Sequence, residues 1–326
     1  MTLQSAKITG IGHYVPEKIL SNHDLETMVQ TSDEWITTRT GIKERRIASE
    51  SESTADLASL AAERALKDAG VNPEDVELII VATMTPDHLM PSTATIVQKM
   101  ISAKKAAAFD LNAACSGFVF ALSVAQQFIA TGFYKNALII GAETVSKFID
   151  FTDRNTCVLF GDGAGAAFIE SCEKGDGILG TSIASNGENF MTIPAGGSRQ
   201  PVSKKTLEER LHYITMSGRE VYKFAVTVVP DAVTQILEQC SLTVDDIDMI
   251  IFHQANVRIV DAVCNKLGID TEKSYVNLQK YGNTSAASIP IALSEAVAEG
   301  TAKKGDIVIM VGFGAGMTWG ATALRL

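Results

Sequence analysis

Three side chains capable of covalent chemistry or hydrogen bonding stand where predicted strands end: Cys115, His253 and Asn283. Cys115 follows an apolar strand and the small-residue turn NAAC, and it begins a long apolar helical segment. Unpaired backbone N–H groups and the helix dipole at such a position stabilise a thiolate. A lone cysteine is more often a small buried hydrophobic residue, but this turn favours a nucleophile whose pKa lies below the ordinary thiol value.

The histidine and the asparagine have ordinary structural explanations when each is considered alone. His253 follows the apolar run MIIF, and polar groups at strand ends gather at the edge where α/β sheets bind ligands. A hydrogen-bonded structural histidine fits the same pattern. Asn283 lies in KYGNTSAASIP and suits a turn or a helix N-cap. Their relation to Cys115 therefore depends on the fold.

An internal repeat supplies that relation. Three pairs of segments match at one offset of 171 residues (65 to 236, 110 to 281, 137 to 308) without gaps. The pairs are 65–83 with 236–254, 110–125 with 281–296, and 137–143 with 308–314. At this offset Asn112 falls on Asn283 and Cys115 falls on Ala286. The repeat predicts two related halves whose strand-to-helix turns face each other, with His253 at the end of a neighbouring strand.

The predicted fold is α/β, a five-layer αβαβα sandwich of two duplicated halves. Near-continuous apolar runs such as LIIVAT, ALIIGAE and IVIMVGF are typical of strands covered on both faces. Residues 55–70 and 116–132 have helical apolar spacing and end at glycines. We expect the halves to span 1–175 and 176–326, with 185–215 as an insertion loop over a site.

Composition excludes several classes of function. The chain has 326 residues, 46% of them hydrophobic, and a formal net charge of −10, which disfavours nucleic acid as a partner. Neither a signal peptide nor a long apolar membrane span is expected. The five cysteines are scattered, which argues against a disulfide framework or a zinc site and favours a reducing, cytoplasmic location.

Two glycine-rich segments resemble dinucleotide-binding fingerprints only superficially. Such a fingerprint requires a strand, G-x-G-x-x-G and then a helix. FGDGAGAAF leads into an apolar strand instead, and VGFGAGMTWG lies close to the C-terminal end of the sequence with no helix after it. We expect no nucleotide cofactor at either place. Backbone N–H groups of such a loop could form an oxyanion hole.

Taken together, these residues resemble the β-ketoacyl-acyl carrier protein synthase III family, the initiating condensing enzymes of type II fatty acid synthesis in the thiolase-like superfamily. The resemblance covers essentially the whole chain. The blocks that carry it, in order, are TSDEWITTRTGIKER (31–45), AACSGF (113–118), DRNTCVLFGDGAGA (153–166), HQANVRI (253–259), YGNTSAASIP (281–290) and GFGAGMTWG (312–320).

The resemblance implies a two-stage Claisen condensation. Cys115 would take an acyl group from an acyl-coenzyme A, and His253 and Asn283 would hold the thioester carbonyl of malonyl-acyl carrier protein while it loses CO₂. The carbanion would then attack the acyl-cysteine. Backbone N–H groups of Cys115 and Ala315 would form the oxyanion hole. Coenzyme A enters as a substrate, and neither a cofactor nor a metal is expected.

The resemblance also implies binding roles and a homodimer. Trp35 and Arg154 would sandwich the adenine, Arg39 would meet the phosphates, and Asn256 would support the pantetheine. Carrier-protein docking would involve the segment Gln254, Ala255, Asn256, Val257 and Arg258, with Lys223 and Lys43 as weaker basic candidates. Each of these two lysines is equally well explained as a solvated surface charge.

Two positions depart from the family pattern. Ala315 replaces the middle glycine of the usual GFGGG, and alanine resists positive φ, which puts the loop geometry in question. Met90 falls where the family often has a bulkier aromatic residue that shapes the acyl pocket across the dimer interface. A flexible methionine predicts a site that admits longer or branched primers.

Two other functions remain open on the sequence. A specialised relative could use the same three residues on another acyl donor or acceptor, as in secondary metabolism. A non-catalytic thioester-binding protein could share the scaffold, although a binding protein has no need of Cys115, His253 and Asn283 together. Formation of a covalent acyl adduct on Cys115 separates the binding protein from both enzymes.

Overall fold

A computed structural model describes residues 4–326. Its strands are β1 (Ser5–Tyr14), β2 (Ile19–Ser21), β3 (Glu44–Arg46), β4 (Leu78–Ala82), β5 (Ala107–Leu111), β6 (Asn136–Glu143), β7 (Gly163–Cys172), β8 (Ile178–Ser185), β9 (Met191–Thr192), β10 (Thr215–Met216), β11 (Met249–Phe252), β12 (Ile307–Gly314) and β13 (Thr318–Arg325). Its α-helices are α1 (Asn22–Glu26), α2 (Asp33–Thr40), α3 (Thr54–Ala69), α4 (Thr93–Met100), α5 (Gly117–Ala130), α6 (Arg154–Cys157), α7 (Lys204–Glu208), α8 (Gly218–Cys240), α9 (Val257–Leu267), α10 (Leu278–Tyr281) and α11 (Ser288–Ala298).

Two large mixed sheets organise these elements. The first has the order β1-β7-β6-β4-β5, and the second has the order β11-β12-β13-β8. In each sheet a parallel pair, β4 with β6 or β11 with β12, continues into antiparallel strands. Strands β4 and β11 begin at Leu78 and Met249, and β6 and β12 begin at Asn136 and Ile307, so the predicted offset of 171 (78 to 249, 136 to 307) holds.

The helices and sheets form five layers that pack around three apolar cores, which confirms the predicted sandwich. Helices α5 and α11 lie between the two sheets and contact the inner faces of both. Helices α3 and α4 cover the outer face of the first sheet, and α8 and α9 cover the outer face of the second. The chain changes sheet between Cys172 and Ile178. The division into domains at 175 and 176 stays a prediction.

The strand-to-helix turn of the first half is built again in the second. Short 3-10 turns, Ala114–Ser116 and Ser285–Ala287, precede α5 and α11. The side-chain oxygen of Asn112 accepts a hydrogen bond from the Ala114 N–H at 3.2 Å, and that of Asn283 accepts from the Ser285 N–H at 2.9 Å. The residue two positions after each asparagine has a positive φ, +46° at Ala114 and +50° at Ser285. The repeat therefore extends to backbone conformation.

The halves differ at one edge. The first sheet ends in β5, whose sequence AAFDL is only partly buried, whereas the matching segment of the second half forms α10. Leu278 and Tyr281 of α10 are buried at helical spacing, which selects a helix over a strand there. The insertion after β8 contains β9, α7 and β10, and an Arg210–Asp150 ion pair (Nε to Oδ2, 2.7 Å) ties it to the segment before α6.

Candidate active site

Cys115, His253 and Asn283 line one narrow cavity of about 170 Å³. Their side chains come from the turn before α5, the end of β11 and the loop before α11. The three residues are 1%, 2% and 7% exposed, so the cavity is their route to ligand. The structure thus brings together three residues that are far apart in the sequence, at the place where the two repeated turns meet.

The expectation of a low pKa for Cys115 is wrong. Complete burial, together with a smaller effect of the Glu143 carboxyl, raises the pKa of the thiol to about 12, while hydrogen bonding from Ser285 opposes the shift. Loss of hydration disfavours the thiolate more than the hydrogen-bond donors at this turn favour it. At physiological pH the Cys115 side chain is therefore a neutral thiol.

His253 is held in one orientation by its neighbours. Its backbone N–H donates to Val311 O at 2.8 Å, and its Nδ1 lies 2.7 Å from Ser288 Oγ. The ring packs edge-on against Phe313 with 5.2 Å between centroids. Burial lowers the pKa of His253 to about 3, so the imidazole is neutral at physiological pH. A neutral ring donates from one nitrogen and accepts at the other.

Asn283 is fixed through its backbone and its side-chain carbonyl. Its N–H donates to Leu159 O at 2.8 Å, and its C=O accepts from the Gly161 N–H at 3.0 Å. The preceding Gly282 has φ +63°, and a Cβ there would lie 2.7 Å from Leu159 O, so only glycine fits. Since the side-chain carbonyl accepts from Ser285, the amide NH₂ is the group left to donate to a ligand.

The β12–β13 hairpin brings its backbone against the nucleophile. A Cβ on Gly314 would lie 2.8 Å from Cys115 N, which shows how closely the two chains approach. The Thr318 hydroxyl donates to Ala315 O at 3.0 Å and thereby ties the loop to the hairpin. The positive φ in this loop falls on Gly316 (+128°), so the expected strain at Ala315 does not arise.

The four residues predicted to bind coenzyme A are neighbours. The Arg154 and Arg39 guanidinium carbons lie 4.7 and 5.5 Å from the Trp35 ring centroid. Asn256 Nδ2 donates to Arg39 O at 3.1 Å, and Asn256 also lines the Cys115 cavity. An aromatic ring between Trp35 and Arg154 requires about 3.5 Å on each side, roughly 7 Å in all. The predicted adenine sandwich would therefore require Arg154 to move away from Trp35.

The predicted carrier-docking segment is only partly on the surface. Gln254 is 1% exposed, and its side chain bonds Phe252 O, Tyr275 O and the Asn277 N–H, so it supports the loop from below. Its predicted direct contact with a carrier protein is wrong for that reason. Arg258 is exposed, and Ala255, Asn256 and Val257 are partly exposed.

The two weaker basic candidates, Lys43 and Lys223, are both exposed. Lys223 pairs with Glu220 on its own helix at 3.3 Å, which offsets part of its charge. Lys43 is held through its backbone N–H, which donates to Gln279 O at 3.1 Å. Arg258 therefore stays the first of the three predicted basic contacts for an acidic partner.

Met90 does not line the Cys115 cavity. It is 86% exposed, next to Leu89 at 87%, on the loop between β4 and α4. A larger cavity of about 710 Å³ lies behind the Cys115 turn. Its walls include Asn112, Ala315 and Ile193, the last from the insertion that was predicted to cover a site.

Sequence reasoning missed three polar residues that support the site. Ser288 contacts His253, Ser285 contacts Asn283, and Glu143 accepts from Ser285 Oγ at 2.9 Å. Glu143 ends the apolar run ALIIGAE, which is the same signal that identified His253. Ser285 and Ser288 are unremarkable in a serine-rich loop, and only their three-dimensional neighbours distinguish them.

Within residues 4–326 no group of three or more histidine, cysteine, aspartate or glutamate side chains has the arrangement of a metal site. No helix in that range combines the length and apolar character needed to cross a bilayer.

Comparisons with known proteins agree with this geometry. The model of the C-terminal region of 3-oxoacyl-acyl-carrier-protein (ACP) synthase III matches residues 237–326, and the companion model for that synthase matches 109–187. The β-ketoacyl-acyl-carrier-protein synthase III of Caldanaerobacter subterraneus subsp. tengcongensis is 57% identical over 323 residues, 98% of each chain.

Two solved structures of similar chains superpose on nearly the full length. The 3-oxoacyl-acyl-carrier-protein synthase III of Aquifex aeolicus gives a TM-score of 0.91 at 48% identity, covering 98% of this chain and 100% of that one. The priming β-ketosynthase of the R1128 polyketide pathway also gives 0.91, at 34% identity, over 99% and 97%. The chain therefore belongs to the 3-oxoacyl-acyl-carrier-protein synthase III family of condensing acyltransferases.

Proposed function

We propose that Cys115, His253 and Asn283 carry out the condensation that this family catalyses: a short acyl-coenzyme A primer joins malonyl-acyl carrier protein to start fatty acid synthesis. The supporting observation is the convergence of all three side chains on one narrow cavity. In the first stage the Cys115 sulfur attacks the primer thioester. Coenzyme A leaves as a thiol, and the acyl group stays on the cysteine.

His253 and Asn283 act in the second stage. Loss of CO₂ from the malonyl group places negative charge on its thioester oxygen, and donors fixed in advance at that position stabilise it. Ser288 Oγ accepts from the Gln254 N–H at 3.3 Å and can give its own hydrogen to His253 Nδ1. That arrangement leaves the proton on Nε2, so the neutral ring donates to the enolate alongside the Asn283 amide.

The resulting carbanion attacks the acyl carbon on Cys115. Negative charge then develops on the acyl oxygen, and the backbone N–H groups of Cys115 and Ala315 are the proposed donors to it. The close approach of Gly314 to Cys115 supports this pairing, because it brings the two backbones side by side. Collapse of the intermediate releases the β-ketoacyl carrier and the Cys115 thiolate, which takes up a proton.

Trp35 is the proposed platform for the adenine of coenzyme A, with Arg154 on its other face. Trp35→Ala should raise KM for acetyl-coenzyme A about tenfold, because loss of a stacking surface costs roughly 1–3 kcal/mol, and should leave kcat unchanged. Steady-state rates measure both constants. The thioester of pantetheine, which has no adenine, is the control: its KM should not change. An equal rise in KM for both substrates would contradict the assignment.

Carrier docking is proposed at the start of α9, where Arg258 is exposed beside the mouth of the cavity that Asn256 lines. Positive charge at that mouth suits an acidic carrier protein and would mainly speed encounter. A homodimer is proposed through β5, an unpaired edge strand with partly exposed apolar side chains. Pairing there would cover the neighbouring loop that exposes Leu89 and Met90.

The primer range is the most direct test of function, because Met90 is proposed to border the acyl pocket of a partner subunit. With malonyl-acyl carrier protein, the enzyme should extend isobutyryl- as well as acetyl-coenzyme A. Met90→Phe should reduce isobutyryl turnover about tenfold or more relative to acetyl, since small changes in pocket volume discriminate by 10- to 200-fold. Met100→Phe, at another exposed methionine, is the control.

Mass spectrometry of the carrier products measures how far wild type and each variant extend acetyl- and isobutyryl-coenzyme A. Turnover of acetyl-coenzyme A alone would contradict the proposal for Met90. Absence of any β-ketoacyl carrier product with every donor would contradict the proposed function itself.

All five cysteines are free, which supports action in the reducing cytoplasm. The similarity to a polyketide priming β-ketosynthase keeps a specialised condensing role as the second candidate. The higher identity, 57% over 98% of both chains, to a β-ketoacyl-acyl-carrier-protein synthase III favours the first.

A further inference from the structure

A buried carboxyl beside the nucleophile has no part in the scheme above. Glu143 ends β6 and is 0% exposed. Five donors surround its two oxygens: the hydroxyls of Thr85 (2.6 Å), Ser285 (2.9 Å) and Thr83 (3.1 Å), and the N–H groups of Met84 and Thr85 (both 3.1 Å). Because every partner can donate, the cage suits a carboxylate.

No cation balances this carboxylate. Within residues 4–326, none of the ion pairs includes Glu143. Asp87, on the loop after β4, is engaged by the Thr93 hydroxyl at 3.0 Å. Cys115, Tyr222 and His253 are the titratable groups that line the neighbouring cavity. An unpaired buried charge is costly, and such costs are typically retained where chemistry requires the group.

Ser285 connects this carboxyl to the nucleophile. Its hydroxyl donates to Glu143 Oε1, and its 3-10 turn contacts the turn that carries Cys115. Hydrogen bonding from the Ser285 side chain lowers the pKa of the Cys115 thiol. Since the single hydroxyl hydrogen points to Glu143, the oxygen can accept the S–H proton. Ser285 has φ +50°, a backbone conformation that non-glycine residues adopt only under constraint. This constrained turn holds the hydroxyl against the carboxylate, beside the turn of Cys115.

We propose that Glu143, acting through Ser285, accepts the thiol proton of Cys115 while the acyl group is loaded. This inference rests on the proposed function and adds a proton path to its first stage. The S–H proton passes to Ser285 Oγ as the hydroxyl proton passes to Glu143. The S–C bond to the acyl carbon forms, and the bond from that carbon to the coenzyme A sulfur breaks. The proton returns by the same path to the departing thiolate, giving free coenzyme A.

The acidities of the groups support this direction of transfer. Burial raises the pKa of Glu143 to about 7 and that of Cys115 to about 12, and it lowers the pKa of His253 to about 3. Glu143 is therefore a much stronger proton acceptor than His253. A base is most effective when its pKa lies near the working pH. The carboxylate fraction grows as pH rises through about 7, so removal of the thiol proton should accelerate over that range.

Alkylation of Cys115 by iodoacetamide at pH 5.5–9.5 tests the path without any thioester. Peptide mass spectrometry follows Cys115 alone. The wild-type rate should rise with an inflection near pH 7. Glu143→Gln should lose that inflection and react about 10²-fold more slowly at pH 8, the scale of general-base assistance. Glu143→Asp should keep an inflection, and Thr83→Val, which removes one donor to the carboxylate, should move it to higher pH.

His253→Ala is the comparison for the competing base, and its alkylation should keep the inflection near pH 7. A Glu143→Gln profile that superimposes on wild type would overturn the proposal. The proposal would also be overturned if Glu143→Gln and Glu143→Asp slowed alkylation equally at every pH and both kept the inflection. That result would indicate a purely structural role for Glu143. If Glu143→Gln does not fold, Ser285→Ala decides, because the path predicts loss of the inflection there too. Normal alkylation without acyl transfer would count against the proposed function instead.

Discussion

Cys115→Ala should abolish both the covalent acyl-enzyme and the condensation. Cys115 supplies the one thiol among the residues that line the cavity. Turnover should therefore fall by at least about 10⁴-fold, as when other enzymes lose a nucleophile that works with its partners as a unit. Intact-protein mass after mixing with acetyl-coenzyme A measures the adduct, and product formation with malonyl-acyl carrier protein measures condensation. The variant should fold normally, because alanine fills almost the same volume in this turn.

Cys240→Ala is the matched control for that experiment. Cys240 ends α8, packs against Gly180 and lies outside the cavity of Cys115. It should form the acyl adduct and the condensation product at wild-type rates. An adduct that survives in Cys115→Ala, or disappears in Cys240→Ala, would show that the nucleophile has been misassigned.

His253→Ala should separate the two stages of the reaction. Acylation of Cys115 should proceed, whereas condensation should fall by about 10²–10³-fold, the usual cost of removing one oxyanion donor. The acyl-enzyme should therefore accumulate. Rapid-quench mass spectrometry of a single turnover resolves both events. Asn283→Ala should behave in the same way, since it is proposed to donate to the same oxygen.

His23→Ala provides the control for the histidine, because His23 is an exposed residue of α1 that pairs with Glu26. Its variant should match wild type in both stages. The pKa of about 3 at His253 adds a second check: the ring stays neutral above about pH 4, so condensation from preformed acyl-enzyme should show no histidine inflection between pH 5 and 8. Loss of acylation together with condensation would contradict a role confined to the second stage.

The layers of the fold were predictable because their signals are local. Continuous apolar strands and helices such as α3 follow from hydrophobic periodicity, and the capping glycine at residue 70 ends α3 with φ +68°. The repeat then related the two halves, and it anticipated that the turns of Cys115 and Asn283 meet. It did not anticipate α10 in place of a fifth strand, because α10 lies almost entirely outside the matched segments.

The features of the site that escaped prediction depend on burial and on distant neighbours. The raised pKa of Cys115 arises from complete loss of solvent, which a helix-terminus argument does not include. Gln254 looked like a surface residue within QANVR, but its three hydrogen bonds lie beneath the loop. Glu143 and Ser285 are 142 residues apart, and no local pattern pairs them. All three features depend on tertiary structure, which local sequence patterns do not report.

One acyl group should pass through Cys115 on its way to the carrier. Acyl-enzyme made with labelled acetyl-coenzyme A, freed of excess donor and then mixed with malonyl-acyl carrier protein, tests it directly. The label on the Cys115 peptide should disappear at the same rate as labelled β-ketoacyl carrier forms, one for one. Product that forms while the label stays on Cys115 would contradict the account.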